Sequence, residues 1–296
     1  MNMLKLFKLN SYAKINLTLE ILGKREDGFH EISSVFQTIS LHDILHFQKD
    51  SELVVETNLE NLNTQDNLVY RAGKLLKDFM NVKFGAKIFV DKNIPVAAGL
   101  GGGSSNAATT LIGLNKLWNL NLNLEQLACL GSQLGSDVSF FLYGGTAHVS
   151  GKGEIVSKLP SLNQMKVILI FPNNCLSTVK KNKTALAYSF LNEKNYTNGQ
   201  NTDNLLESIY KTNRIDCSKF FNSFQDIYPK VFNDYLNPFN LLNQQGVMKC
   251  YVSGAGPALF IPICDNEDQY DMIRKVNKIC GFSAISTFFI QECFDE

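Results

Sequence analysis

Gly99-Leu100-Gly101-Gly102-Gly103 puts four glycines into five residues, between the short apolar run Ala86 to Val90 and a helical pattern that starts at Ser104-Ser105-Asn106. Backbone without side chains over that length bends sharply and lets a bulky group reach its N–H donors. Followed at once by a helix, the loop lies at the positive end of the helix dipole and beside the unpaired N–H groups of the first turn, an environment that favours phosphate. The order strand, glycine loop, helix therefore predicts an α/β layer holding a di- or triphosphate, the alternative being a plain flexible turn. The tract has no Walker A lysine, and Ser104 stands where a dinucleotide fingerprint needs its third glycine, so neither of those readings applies.

The rest of the chain sets the size of the scaffold. With 296 residues, 45% of them hydrophobic, it can bury one large core or two moderate ones, and two domains are expected. The boundary falls in the Gly-, Ser-, Pro- and Lys-rich stretch Gly151 to Gln164, ahead of an apolar strand at Val167 to Phe171. Lys plus Arg and Asp plus Glu are both 28, so there is no global basic field for a nucleic-acid backbone or an anionic membrane, and an anionic ligand must be held locally. The longest apolar runs fall well short of the roughly 18 residues a membrane span needs, and a cytosolic protein is expected. Seven cysteines without a CxxC pair read as reduced thiols.

Partial alternation from Leu9 to Leu22 predicts a strand that folds back at Gly23 to Gly28 and carries Lys14. Asp66 and Asn67 can cap a helix whose apolar face holds Leu68, Val69, Ala72, Leu75, Leu76 and Phe79. A helix near Leu124 to Leu134 stops at Gly135, and Asp137 then opens a short buried element, Val138 to Leu142. Ionised groups placed like Lys14 and Asp137 need a reason to be there. A hydroxyl acceptor would supply it; a structural N-cap for Asp137 and a solvent-facing Lys14 are the alternatives. Phe29 and His30 at a predicted turn offer a ring and an imidazole to a base. Beyond the boundary, helical stretches alternate with strands, one of them near Met248 to Val252, and predict a second α/β layer. Ser253-Gly254-Ala255-Gly256-Pro257 reads equally as a hairpin turn or a ligand-facing loop. Asn192 to Asn204 reads as a polar surface loop, and Lys180, Lys181 and Lys183 as a solvated face. His42 and His46 have the spacing of a helical metal pair, but Leu41 to Phe47 alternates like a strand, which sets metal binding aside.

Taken together, Ala13-Lys14-Ile15-Asn16-Leu17, Gly28-Phe29-His30, Gly99 to Ala107, Gly135-Ser136-Asp137-Val138 and Ser253 to Pro257 resemble the GHMP kinase superfamily, in its motif order and across nearly the whole chain. Within it, the first two segments and Gly135 to Phe141 are similar to members that phosphorylate a cytidylyl-linked methylerythritol in non-mevalonate isoprenoid synthesis. The resemblance implies an α/β (α+β) two-domain small-molecule kinase. Residues 1–158 would form the N-terminal ATP-binding and catalytic domain, residues 159–296 a C-terminal domain contributing to substrate binding, and the active site the cleft between them. ATP, accompanied by Mg²⁺ through ligands the resemblance does not identify, would be held by Pro95, Ala98, Gly99, Leu100, Gly101, Gly102, Gly103, Ser104, Ser105 and Asn106, with Asn67 near the adenine. Asp137 would accept the proton of the substrate 2-hydroxyl and Lys14 would hydrogen-bond it, while Asn16, Phe29, His30 and Tyr188 would contact the substrate. A cytoplasmic monomer or homodimer is implied, with no nucleic-acid or membrane partner. The rival readings are another GHMP kinase, acting on a mevalonate, a homoserine or a sugar, and a catalytically silent nucleotide-binding module.

Overall fold

The computed structural model describes residues 6–172, 183–232, 237–247, 249–263 and 267–293. Lys180 and Lys181 of the lysine cluster, and Met248, lie outside the described residues.

β1 (Phe7–Lys24) and β2 (His30–Asp50) form the long antiparallel hairpin expected from the alternation, and the register slips between Tyr12 and Ala13 and again between Asn16 and Thr18. Such irregularities bend a strand and re-aim its side chains, and these two bracket Lys14. β3 (Leu53–Thr57), β4 (Gly85–Asp91), β5 (Thr146–Gly151) and β6 (Ile155–Lys158) extend the sheet, whose main path is β3-β4-β2-β1-β8, with β8 (Phe221–Asn222) parallel to β1. β7 (Lys166–Pro172), β9 (Tyr251–Val252), β10 (Leu259–Ile263) and β11 (Phe282–Phe288) form a second sheet in the order β11-β7-β10-β9. Its pairings among the described residues are all antiparallel. Between β9 and β10 the reason is local: Ser253 to Pro257 joins them too tightly for a crossover helix.

α1 (Leu68–Phe79) starts where expected, with the Asn67 side chain accepting from the Val69 N–H. It buries Val69, Ala72 and Leu76, but Phe79 in its last turn is 62% exposed, past the end of the packed face. α2 (Gly102–Trp118), α3 (Leu124–Ser132) and α4 (Val138–Tyr143) follow, and α2 is buried on nearly all sides, which fits its mixed apolar and small-residue sequence.

Asn192 to Asn204 is not one surface loop. A helix spans Gln200–Thr212 and packs on β1 and β2. Its start is fixed by Glu20, fully buried on β1, which accepts from the Thr202 N–H at 2.7 Å and the Asn201 side chain at 2.8 Å. A carboxylate at the positive end of a helix is favourable, and this pairing across 182 residues leaves no periodic trace in the sequence. The chain changes sheets at β7 but returns to the first through this helix and β8. The core accordingly runs from Ala13, Ile15 and Leu17 on β1 to Val167, Leu169 and Phe171 on β7 without a break. No disulfide joins the described cysteines, and no described helix is long and apolar enough to cross a membrane.

Candidate active site

The glycine loop is shaped by positions that side chains would block. Gly99 and Gly101 have φ of +86° and +73°, and Gly101 serves as the left-handed N-cap of α2 with no side chain capping the helix. The first-turn N–H groups therefore have no acceptor within the helix. A Cβ on Gly101 would meet the Phe141 ring at 2.5 Å and the Lys14 Cγ at 3.2 Å. Gly101→Ala is expected to raise KM for ATP tenfold or more while circular dichroism stays native, because both the strained φ and the clash fall on the loop. An unchanged KM in initial-rate assays would remove the loop from nucleotide binding.

A cleft of about 530 Å³ opens over this loop. Pro95, Ala98 to Ser104, Asn106 and Asn67 line it, as do Lys14, Asn16 and Asp137. Ser105 does not: its hydroxyl donates to the Tyr12 carbonyl at 2.6 Å and meets the Ser11 hydroxyl at 2.7 Å, tying α2 to β1. Its hydroxyl is thus engaged with β1 and turned away from the cleft. Asn106, 4% exposed, donates to Ser11 and to the buried Asp43. Asp43 also accepts from the Asn93 and Ile94 N–H groups at 2.7 Å each and pairs with Lys92. This network anchors the segment that leads into the glycine loop.

Lys14 faces the cleft from the bulged stretch of β1. Its N–H donates to the Leu100 carbonyl at 3.0 Å, which fixes it against the loop. Its ammonium donates to Asn16 Oδ1 at 2.8 Å, lies 3.6 Å from the Asp137 carboxylate and sits 4.1 Å above the Phe36 ring. Burial pushes the Lys14 pKa down from the usual lysine range, and Asp137 partly restores it. The solvent-facing reading of Lys14 is therefore excluded. Asp137 precedes α4, yet its side chain makes no capping hydrogen bond, so the structural-cap reading fails as well.

The third glycine tract completes the cleft. Gly254 donates its N–H to Asn16 Oδ1 at 2.9 Å, Ser253 Oγ donates to the Gly99 carbonyl at 3.1 Å, and the Ala258 N–H donates to the Ala98 carbonyl at 3.0 Å. Gly254, Ala255 and Gly256 line the cleft wall, so the turn between the strands also faces the cleft. Lys183 is not on a solvated face: its ammonium donates to the Ala97 and Gly256 carbonyls at the cleft edge.

A second cavity of about 570 Å³ adjoins the first and shares Asp137, Lys152, Thr184 and Tyr188 with it. Phe29, His30 and Tyr196 line its far side. The His30 ring lies 5.0 Å from that of Tyr188 and 6.1 Å from that of Tyr196, and partial burial, aided by Lys24, lowers its pKa. Phe29 is 54% exposed, with the Lys152 ammonium 4.6 Å over its ring. Sequence reading missed Lys92, Lys152, Thr184 and Tyr196, each lacking a motif around it. His42 and His46 sit on β2, against Tyr12 and Phe89 respectively.

Two hollows that meet at the Asp137 carboxylate, with the buried Lys14 beside it in the first, suit a donor nucleotide and a separate acceptor. Comparison with known proteins agrees with that geometry. Residues 67–145 match the GHMP kinases N terminal domain. The 4-diphosphocytidyl-2-C-methyl-D-erythritol kinase of Prochlorococcus marinus (strain MIT 9215) is 38% identical, over 95% of this chain and 94% of its own. The chain belongs to the 4-diphosphocytidyl-2-C-methyl-D-erythritol kinase family. The Bacillus thuringiensis (strain Al Hakam) kinase of the same name is 41% identical, over 88% of each chain. A crystal structure of a 4-(cytidine 5'-diphospho)-2C-methyl-D-erythritol kinase superposes with a TM-score of 0.76 at 26% identity, covering 96% of this chain and 99% of that one. Membership of this family makes the chain a small-molecule kinase of GHMP architecture.

Proposed function

We propose that the protein transfers the γ-phosphoryl group of ATP to the 2-hydroxyl of 4-diphosphocytidyl-2-C-methyl-D-erythritol in the cytoplasm, as a monomer or homodimer. The observation that carries this reading is the junction of the two cavities at Asp137, with the Lys14 ammonium 3.6 Å from its carboxylate. In this reading the first-turn N–H groups of α2 cradle the phosphates, and Asn67 and Pro95 border the base. The cytosine enters beside His30, Phe29, Tyr188 and Tyr196, where rings for stacking and an imidazole for hydrogen bonding converge. Asp137 orients the acceptor hydroxyl and takes its proton, and Lys14 stabilises charge that builds on the transferring oxygens.

Mg²⁺ sites in such enzymes use one or two carboxylates together with substrate phosphates. Asp137 and the Ser104 hydroxyl line the cleft and fit that pattern as the protein's donors. When bound, the ion neutralises phosphate charge during transfer.

The test is an ADP-release assay with ATP and four acceptors: the cytidylyl methylerythritol, mevalonate, homoserine and galactose. Turnover is expected with the first alone, and preference for any other would overturn the proposal. Within the same assay, His30→Ala is expected to raise KM for the cytidylyl substrate at least tenfold and to leave KM for ATP near its original value, as loss of one half-buried stacking and hydrogen-bonding partner implies. Equal effects on both substrates would take His30 out of acceptor recognition.

A further inference from the structure

Lys152 stands at the seam of the two cavities, and a tight turn puts it there. Gly151 and Gly153, with φ of +69° and +114°, bracket it at the end of β5. The Glu154 carboxylate accepts from the Lys152 backbone N–H at 2.7 Å, which closes the turn. A Cβ on Gly153 would meet the Ser136 Cβ at 2.9 Å and lie 3.8 Å from the Asp137 carboxylate, so the turn is pressed against the residues that lead into α4. Four lysines line the first cavity, and three are held: Lys14 by Asn16 and Asp137, Lys92 by Asp43, and Lys183 by the Ala97 and Gly256 carbonyls. Lys152 is different. Its side chain is exposed, no carboxylate among the described residues pairs with its ammonium, and the contact it makes is with the Phe29 ring at 4.6 Å. Of the four, it alone lines the second cavity too.

We infer that Lys152 is a specificity-determining residue that reads the diphosphate of the acceptor: its ammonium holds the phosphate oxygens joining the cytidine to the polyol. This rests on the acceptor reading given above. With cytosine beside His30 and the reacting hydroxyl at Asp137, the linker between them runs along the wall the two cavities share. That wall is Asp137, Lys152, Thr184 and Tyr188. A diphosphate beside the Asp137 carboxylate needs a counter-charge, and Thr184 and Tyr188 carry none. The cation–π contact with Phe29 is weak at an exposed site, and a phosphate oxygen is the stronger partner for an ammonium. The ammonium therefore leaves the ring for the linker when the acceptor enters.

The test uses cytidine and cytidine 5'-diphosphate as probes, titrated by calorimetry into the whole protein with the first cavity saturated by ADP. The wild type is expected to bind the diphosphate about tenfold more tightly than the nucleoside, as one charge-assisted hydrogen bond at an open site implies. Lys152→Gln is expected to erase that preference while cytidine binds as before, and added salt should shrink the preference in the wild type. His30→Ala is expected to weaken both probes by the same factor and keep the preference. A wild type without the preference overturns the inference, and so does a Lys152→Gln protein that keeps it or that loses both probes equally, the mark of mere structural loosening. Loss of ADP affinity in Lys152→Gln with the preference intact would put the ammonium on the donor's phosphates and overturn it as well. If His30→Ala leaves cytidine binding unmoved, the reading of the second cavity as the cytosine site fails, and the inference falls with it.

Discussion

Asp137→Asn is expected to lower kcat by about 10²- to 10⁴-fold, or roughly 3 to 5 kcal/mol of barrier at about 1.36 per decade, with KM for ATP nearly unchanged. The amide keeps the shape of the carboxylate at the junction of the two cavities but cannot take a proton. The glycine loop, whose donors belong to backbone, is untouched by the change. A second effect follows from the ion pair. Asp137 is what raises the Lys14 pKa against the opposing effect of burial, so its loss lets that pKa fall further. The residual activity should therefore disappear at lower pH than in the wild type as pH rises. Single-turnover rates on the folded variant decide the matter, and turnover close to wild type would remove Asp137 from the chemistry.

Asp43→Ala is expected to cost about 3 to 5 kcal/mol of stability, read from urea unfolding. Asp43 is fully buried and accepts from two backbone N–H groups and the Asn106 amide, besides pairing with Lys92. Truncation strands the two backbone N–H groups and leaves an ammonium only 6% exposed without its counter-charge, held by the Asn106 amide oxygen alone. Lys92→Met with Asp43→Leu should lose less than the sum of the single changes, since no charge is then left without a partner. A loss below about 1 kcal/mol in Asp43→Ala would show that water or a neighbour compensates.

What could be read from the sequence was what local chemistry imposes. Asn67 capping α1, the β1–β2 hairpin, and the glycine loop opening into α2 all arise from residues within a few positions of one another. Lys14 and Asp137 stood out because charge inside apolar stretches demands an explanation, although 123 positions separate them. What escaped was long-range and polar. Glu20 holding the Gln200–Thr212 helix, Lys92 reaching Asp43, and Lys183 bridging two loops carry no period and no motif, and a polar run such as Asn192 to Asn204 looks the same whether it is solvated or docked. The β1 partners of the Ser105 hydroxyl escaped for the same reason: a serine in the first turn of a helix serves a ligand or a neighbouring strand equally well, and only the fold chooses.

The return of the chain to its first sheet bears on how the protein is made. β8, the Gln200–Thr212 helix and the C-terminal segment, where the Ile290 N–H donates to the Thr38 carbonyl at 2.9 Å, all cover strands synthesised at the very beginning. A nascent chain that has emerged only as far as β7 has the glycine loop, Lys14 and Asp137, yet lacks the pieces that shield β1 and β2. Synthesis must pass β11 before β1 and β2 gain their last neighbours, so the sheet that carries Lys14 matures after the segments that follow it in the chain.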